Sequence, residues 1–128
     1  MTQNALITYG GWVGHEPDKV AALSAKILED AGLAITLTDS LSCFDDADAL
    51  AAYDVIVPLW TMSELSKEAA INISDAVSKG TGLAGCHGGM SDAFRANTLW
   101  QIMTGANWVA HPCGDGIDYK LNIIDQTH

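Results

Sequence analysis

Short apolar runs alternate along the chain with longer segments whose apolar residues recur every three or four positions. The short runs are typical of buried strands, and the longer segments are typical of helices that pack on a sheet. Gly32 and Gly80 follow two of the helical segments, where a left-handed residue commonly ends a helix. The pattern predicts strands at 5–9, 34–38, 54–59, 82–86 and 117–124, and helices at 17–31, 45–52, 66–79 and 88–105.

Two of the predicted helices carry apolar stripes that should face the sheet. Pro17 suits the first turn of the first helix, and Ser66 suits the N-cap of the third. The predicted inner faces are Val20, Leu23, Ile27, Leu28 and Ala31 in the first helix, and Phe94, Leu99, Ile102 and Met103 in the last.

The alternation of strands and helices predicts a doubly wound, flavodoxin-like α/β fold, with a mostly parallel sheet and helices on both faces. No linker, repeat or low-complexity stretch divides the sequence, so residues 1–128 form one predicted domain. In such a fold, ligands bind at the carboxyl ends of the strands. We therefore expect the functional site where the loop 10–15 meets the loop 85–89.

Composition narrows the classes of partner. The 128 residues are 48% hydrophobic and carry 6 basic against 16 acidic side chains, a net charge of −10. An acidic surface repels phosphate backbones and anionic lipid, which argues against nucleic acid and membranes as partners. No apolar run reaches the length of about 18 residues that spans a bilayer, and no signal peptide is visible, so we expect a cytoplasmic location. The cysteines, Cys43, Cys86 and Cys113, form no CxxC pair and suggest neither disulfides nor a thiolate metal site.

The stretch Gly85-Cys86-His87-Gly88-Gly89 is the most informative motif. Its form, G-x-Nuc-x-G, places the central residue on a tight strand-to-helix turn with its side chain exposed. His87 occupies that central position, whereas Cys86 falls one residue early and is expected to point into the core as an inert thiol. The alternative is that the glycines only allow close packing and that His87 is an ordinary loop residue.

A second glycine-rich stretch, 10–16, follows the first strand. It lacks the G-x-G-x-x-G order and the lysine of a phosphate-binding loop, so its glycines suit close approach of an uncharged ligand. Trp12 and Trp60 follow two of the strands and offer stacking faces of the kind that hold sugars, although tryptophans at strand ends are as often packing residues.

Three histidines, His15, His87 and His111, are candidates for acid–base groups or for ligands of a divalent metal. None of them lies at i, i+4 from another, so their convergence is not dictated by the sequence. Asp92, Glu16 and Glu64 are candidate carboxylate partners, for which solvated surface charge is the simpler interpretation.

Several of these segments resemble those of the ThuA-like (trehalose utilisation) family, within the class I glutamine amidotransferase-like superfamily. The most specific is the elbow 82–87 with a histidine at its centre. The other matching segments are His15-Glu16, the strand 54–57 leading to Trp60, the segment 107–111 and the closing segment 118–128.

The resemblance implies a bacterial protein of carbohydrate utilisation that acts on or binds trehalose, a related disaccharide or a keto-sugar. His87 and His15 would be the catalytic acid–base pair or metal ligands. Amidotransferases of the superfamily carry cysteine where His87 stands, so glutamine hydrolysis is not expected. The clustering of loops at the strand ends, rather than the resemblance, gives the candidate substrate-binding residues: Gly11, Trp12, Trp60, Gly88 and His111.

The resemblance also implies that the chain stops short of a complete family member, and that a homo-oligomer covers an open sheet edge. Whether the protein is an enzyme stays open, because a fold does not guarantee an activity. One alternative is a non-catalytic sugar-binding or partner subunit. Another is a cysteine-dependent hydrolase that uses Cys86.

Overall fold

The computed structural model describes residues 2–127. The first three strands and the two long helices fall where the sequence pattern predicts them. The strands are β1 (Asn4–Gly11), β2 (Ala34–Thr38), β3 (Val55–Thr61) and β4 (Gly82–Leu83). The α-helices are α1 (Pro17–Asp30), α2 (Ala47–Leu50), α3 (Lys67–Ser78), α4 (Gly88–Ser91) and α5 (Thr98–Thr104), and short 3₁₀ turns cover Val13–His15 and Leu41–Phe44.

The four strands of the described residues form one parallel sheet in the order β2-β1-β3-β4. In a doubly wound sheet of this order, ligands bind at the carboxyl ends of the two central strands, from which the chain winds outward in opposite directions. The register of β1 and β3 runs from Ala5↔Val55 to Gly11↔Thr61, so both strands end at the same edge. The predicted α/β fold class is confirmed.

Helices cover both faces of the sheet because the side chains of each strand alternate between the faces. On one face Leu6 packs in a cluster with α2, α3 and α5, and on the other Ile7 packs against α1. The first cluster also contains Phe44, Leu50, Ile56, Ile73, Phe94 and Trp100, and the second contains Ala21, Ala25, Val57 and Leu59.

The buried faces of α1 and α5 differ from the predicted stripes. Leu23 and Ile27 of α1 are 61% and 58% exposed, and Ile102 of α5 is 72% exposed. Small side chains bring α1 close to the sheet, whereas the large Trp100, whose indole N–H donates to Met90 O at 2.8 Å, fills the space beneath α5. Buried in place of the predicted residues are Ala21 and Ala25 in α1 and Trp100 in α5, while Leu28, Phe94 and Met103 pack as predicted.

β4 is shorter than the predicted strand 82–86, because the chain turns towards α4 after Leu83. The Ala84 N–H still donates to Ile56 O at 3.0 Å. Two residues further along β3, Pro58 has no N–H to offer. Proline is tolerated here because a backbone N–H at position 58 would point towards β4, and the pairing of β3 with β4 ends before this residue.

The predicted helix 88–105 is divided into α4 and α5. Between them the chain binds the loop after β3, where Met62 N–H donates to Asp92 O at 2.9 Å and Ser63 N–H donates to Ala93 O at 2.8 Å. These bonds take carbonyls that a continuous helix would use for itself. Asn97 then caps α5 by accepting a hydrogen bond from Trp100 N–H at 3.0 Å.

The predicted strand 117–124 is wrong, since these residues form neither strand nor helix. Ile117, Leu121 and Ile123 are 51%, 84% and 74% exposed. Alternation of apolar and polar residues produces a strand only where a neighbouring strand supplies hydrogen bonds, and no strand of residues 2–127 pairs with this segment. His128 of the closing motif lies outside the described residues. Among residues 2–127, no helix is long and apolar enough to cross a membrane.

Candidate functional site

His87 stands at the turn from β4 into α4 with a strained backbone. Its φ and ψ are 52° and −141°, a combination that residues with a side chain rarely adopt. Such a conformation costs roughly 1–3 kcal/mol and persists where the surrounding structure enforces it, often at a functional site. The side chain is exposed. The turn therefore has the character of the predicted elbow, with His87 presented at its tip.

Glycines on both sides of His87 hold the elbow against β3. A Cβ added to Gly89 would stand 2.9 Å from Leu59 Cα, and one added to Gly85 would stand 3.2 Å from Pro58 O. The glycines are thus needed for close packing, which is the alternative considered for this motif. That packing also fixes the backbone that carries His87, so the two interpretations are compatible.

His15 ends the 3₁₀ turn that follows β1. The Trp12 N–H donates to Thr61 O at 3.1 Å and ties this loop to the end of β3. A hydrogen bond of 3.0 Å joins His15 Nδ1 to Thr61 Oγ1. The ring also packs on the elbow, where a Cβ added to Gly88 would stand 2.8 Å from His15 Cε1. The ends of two strands and the elbow together fix the position of the His15 ring.

The two predicted catalytic histidines lie side by side. The ring centroids of His15 and His87 are 5.0 Å apart with an interplanar angle of 70°, and Trp12 packs against His15 at 4.7 Å and 72°. Both histidines line two cavities, one of about 420 Å³ and one of about 180 Å³. A ligand in either cavity would therefore meet both imidazoles.

The larger cavity has a polar and aromatic lining. Its volume of about 420 Å³ lies within the range of roughly 300–1,000 Å³ that is usual for small-molecule sites. Trp12, which is 49% exposed, lines it together with Gly88, Ser91 and Trp108. The cavity can therefore offer both an aromatic face and hydrogen-bonding groups to a ligand.

The ion pair of Asp92 and Arg95 also lines the larger cavity and was not predicted from the sequence. Asp92 was interpreted as surface charge, but it is only 4% exposed. Arg95 donates from Nε and Nη2 to the two carboxylate oxygens of Asp92, the second bond measuring 3.0 Å. This hydrogen bonding raises the pKa of Arg95. The i, i+3 spacing of an acid and a base is the signal that could have indicated the pair.

Cys86 lines the smaller cavity together with both histidines. The expectation that its thiol points into the core is wrong, because Cys86 is exposed. β4 ends before this residue, so the alternation of a strand no longer directs its side chain inward. The remaining wall of the cavity is mostly apolar and includes Val20 and Leu59.

Trp60 and Gly11 line neither of these two cavities. Trp60 packs on the large core cluster, and its ring lies over Gly10, where an added Cβ would stand 2.8 Å away. A Cβ added to Gly11 would stand 2.0 Å from Thr61 O, so the close approach of β1 and β3 accounts for this glycine. Both residues have packing roles in the structure, and the predicted sugar contacts gain no support from their positions.

His111 lines the larger cavity without joining the histidine pair. Its ring packs on Trp108 with centroids 5.3 Å apart, and its Nε2 lies 3.4 Å from Asp115 Oδ1. Within residues 2–127, no group of three or more His, Cys, Asp or Glu side chains is placed to hold a metal ion. The described residues thus supply no three-residue ligand set for the divalent metal considered above, and a metal stays an untested prediction.

The fold and the site define a class of protein: a doubly wound α/β protein with a strained strand-to-helix elbow at the carboxyl edge of its sheet. Comparison with known families is more specific. The ThuA family, described as trehalose utilisation, matches residues 4–128. The chain belongs to the ThuA family.

A ThuA-like protein of known structure, from Bacteroides uniformis, has a similar fold. The two superpose with a TM-score of 0.62 and 21% sequence identity, over 80% of this chain and 42% of that one. The chain thus spans less than half the length of this neighbour. Among curated protein sequences, none matches the chain.

Proposed function

We propose that the chain carries the small-sugar site of a ThuA protein that acts in the utilisation of trehalose, a related disaccharide or a keto-sugar. The sugar would occupy the larger cavity, and His15 and His87 would be its acid–base pair. The observation that carries the proposal is the strained elbow, which holds His87 against His15 with ring centroids 5.0 Å apart at the wall of that cavity.

The lining of the larger cavity supports an uncharged, hydroxyl-rich ligand. Trp12 offers an aromatic face, on which the C–H face of a sugar ring packs well. Among residues 2–127, Arg95 is the one arginine or lysine that lines this cavity, and its guanidinium is already paired with Asp92. A phosphate or another strong anion would therefore find little free positive charge, whereas sugar hydroxyls can bond to Ser91 and to the outer atoms of the ion pair.

Two adjacent imidazoles suit proton transfer. A neutral imidazole has one nitrogen that donates and one that accepts a hydrogen bond, so one ring can take a proton from the ligand while the other donates a hydrogen bond to it. Such a pair can serve proton removal at a sugar hydroxyl or next to a keto group. We assign this role to His15 and His87.

Calorimetric titration with trehalose and its keto derivatives tests the sugar site. We expect saturable binding, and a decrease in affinity of at least about tenfold for Trp12→Ala, which removes the aromatic face. Trp60→Phe is the matched control, because Trp60 lines neither cavity and the variant should bind like the parent. Absence of saturable binding to any of these sugars would contradict the proposal, as would equal loss in both variants.

Turnover separates the enzyme from the non-catalytic subunit. If the histidine pair is catalytic, His87→Ala lowers turnover by at least about a hundredfold while the affinity for sugar changes little. Binding without turnover in the parent chain would favour the binding subunit. Activity that survives in His87→Ala but disappears in Cys86→Ala would favour a cysteine-dependent hydrolase. Cytoplasmic location and homo-oligomerisation stay predictions, the second of which light scattering would test.

A further inference from the structure

We propose that Thr61 is a positioning residue that holds neutral His15 as the tautomer protonated on Nε2. His15 Nδ1 and Thr61 Oγ1 are 3.0 Å apart, and the tautomer of His15 decides which of the two atoms donates the hydrogen bond. Thr61 donates its hydroxyl proton, and Nδ1 accepts it. His15 then turns an Nε2–H donor, rather than a lone pair, towards a ligand.

The burial of Thr61 supports this direction. Thr61 is 2% exposed. Among residues 2–127, the hydrogen-bond partner of its hydroxyl is His15 Nδ1. If Nδ1 were the donor, the hydroxyl proton would be left buried without an acceptor, which costs about 1–3 kcal/mol. Donation from Thr61 to Nδ1 satisfies both groups.

Other contacts prevent the ring from escaping this bond. The edge of the imidazole packs on Gly88, whose missing Cβ would stand 2.8 Å from His15 Cε1 and 3.2 Å from Nδ1. Trp12 packs on the same ring with centroids 4.7 Å apart. Because Thr61 ends β3 and its backbone oxygen is bound by the Trp12 N–H, hydroxyl and ring are held by one rigid junction.

This tautomer divides the roles of the two histidines. Neutral His15 donates a hydrogen bond from Nε2–H to an oxygen of the ligand, and His87 is left to accept the proton that the ligand loses. This division of roles rests on the proposed function. The tautomer of His15 does not, because it is a property of the chain without ligand.

Nitrogen-15 NMR of the imidazoles measures the tautomer directly. The spectrum is recorded without sugar at increasing pH until the signals stop changing, so that only neutral rings are observed. His15→Gln identifies the signals of His15. We expect the proton of His15 on Nε2, with Nδ1 showing the shift of an unprotonated, hydrogen-bonded nitrogen. A proton on Nδ1 would overturn the proposal.

Substitutions of two buried threonines test the part played by Thr61. Thr61→Val removes the hydroxyl at constant shape and should lower the ratio of Nε2–H to Nδ1–H tautomer by roughly fivefold, the effect of a hydrogen bond of ordinary net strength. Thr61→Ser keeps the hydroxyl and should restore the ratio. Thr8→Val is the matched control, since Thr8 is also buried in the sheet and its hydroxyl has no partner within residues 2–127.

The result separates this proposal from the sugar site. An unchanged tautomer ratio in Thr61→Val, or an equal change in Thr8→Val, would overturn the positioning role even if trehalose binds. Should Thr61→Val fail to fold, Thr61→Ser and the parent chain still decide the direction of the bond. The predicted ratios with no sugar binding would support the positioning role and contradict only the proposed function.

Discussion

Two glycine-rich loops meet at the site. They use glycine in the same way, but they differ in the backbone conformation from which each presents its histidine. At the end of β1, Gly11 lets the strand approach β3, and in the elbow Gly89 does the same. The first loop then presents His15 from a short helical turn with a hydrogen bond to Thr61. The elbow presents His87 from a strained backbone. Glycine here provides close packing, and the histidines next to the glycines provide the chemistry.

The largest effect on stability is expected at Gly11, where the end of β1 lies close to the end of β3. In Gly11→Ala the added Cβ would stand 2.0 Å from Thr61 O at a φ of +80°, so the strand ends must separate. We expect a loss of at least about 3 kcal/mol in the free energy of unfolding, measured with urea. The control is Gly32→Ala, where φ is +94° and nothing lies within 4 Å of the added Cβ. That variant should lose only about 1 kcal/mol, and equal losses would show that contact with Thr61 is not the cause.

Thiol labelling tests whether the elbow is open to solvent. Burial raises the pKa of the Cys43 thiol to about 11, so at pH 8 roughly one molecule in a thousand carries the reactive thiolate. Cys86 is exposed beside the smaller cavity. We expect mass spectrometry to show iodoacetamide modifying Cys86 at least about a hundredfold faster than Cys43.

The rate at which iodoacetamide labels Cys43 should also depend on pH. Labelling of Cys43 should accelerate about tenfold per pH unit until the pH approaches 11. The exposed Cys113 serves as a control for reagent reactivity. Equal rates at Cys86 and Cys43 would mean that the elbow is closed.

The strain at His87 predicts a conflict between stability and function. Glycine tolerates a φ of 52° and a ψ of −141° without the steric cost that alanine keeps. His87→Gly should therefore be more stable than His87→Ala by about 1–2 kcal/mol, while both lack the imidazole. Differential scanning calorimetry of the two variants measures the difference, and equal stability would show that the elbow is relaxed.

The smallest effect on stability is expected at Thr8, which lies in β1, the strand that leads into the first loop. Its hydroxyl is buried and has no partner among the described residues. Thr8→Val should leave the free energy of unfolding unchanged or raise it by up to about 1 kcal/mol, whereas Thr61→Val should lower it by about 1 kcal/mol. A large loss in Thr8→Val would reveal a partner for that hydroxyl.

Local sequence signals predicted much of the fold. β1, β2 and β3 are continuous apolar or alternating runs, and α3 is bounded by a serine cap and a glycine, so their positions depend on nearby residues alone. Ser66 accepts a hydrogen bond from Ala69 N–H at 3.0 Å, as its cap position predicts. The alternation at 117–124 failed as a predictor because a strand needs a neighbour, which the sequence does not reveal.

The sequence predicted that the loops carrying His15 and His87 meet, but it did not predict what surrounds the two rings. The rule that ligands bind at strand ends brought His15 and His87 together, since both follow parallel strands. Strand alternation could have excluded Trp60, because it lies four residues after the core residue Ile56 and so shares its face of the sheet. The ion pair of buried Asp92 with exposed Arg95 depends on a break between two helices, and the bond from His15 to Thr61 depends on strand register. The i, i+3 spacing was a local signal for the ion pair but not for the burial of Asp92, and the bond from His15 to Thr61 has no local signal.

The most direct test of the account follows the imidazole NMR signals of His15 and His87 while trehalose or its keto derivative is added. We expect both sets of signals to shift together and saturate with one dissociation constant, and we expect Trp12→Ala to raise that constant. Signals that stay unchanged while the sugar binds elsewhere, or while no sugar binds, would contradict the assignment of the histidine pair as the sugar site.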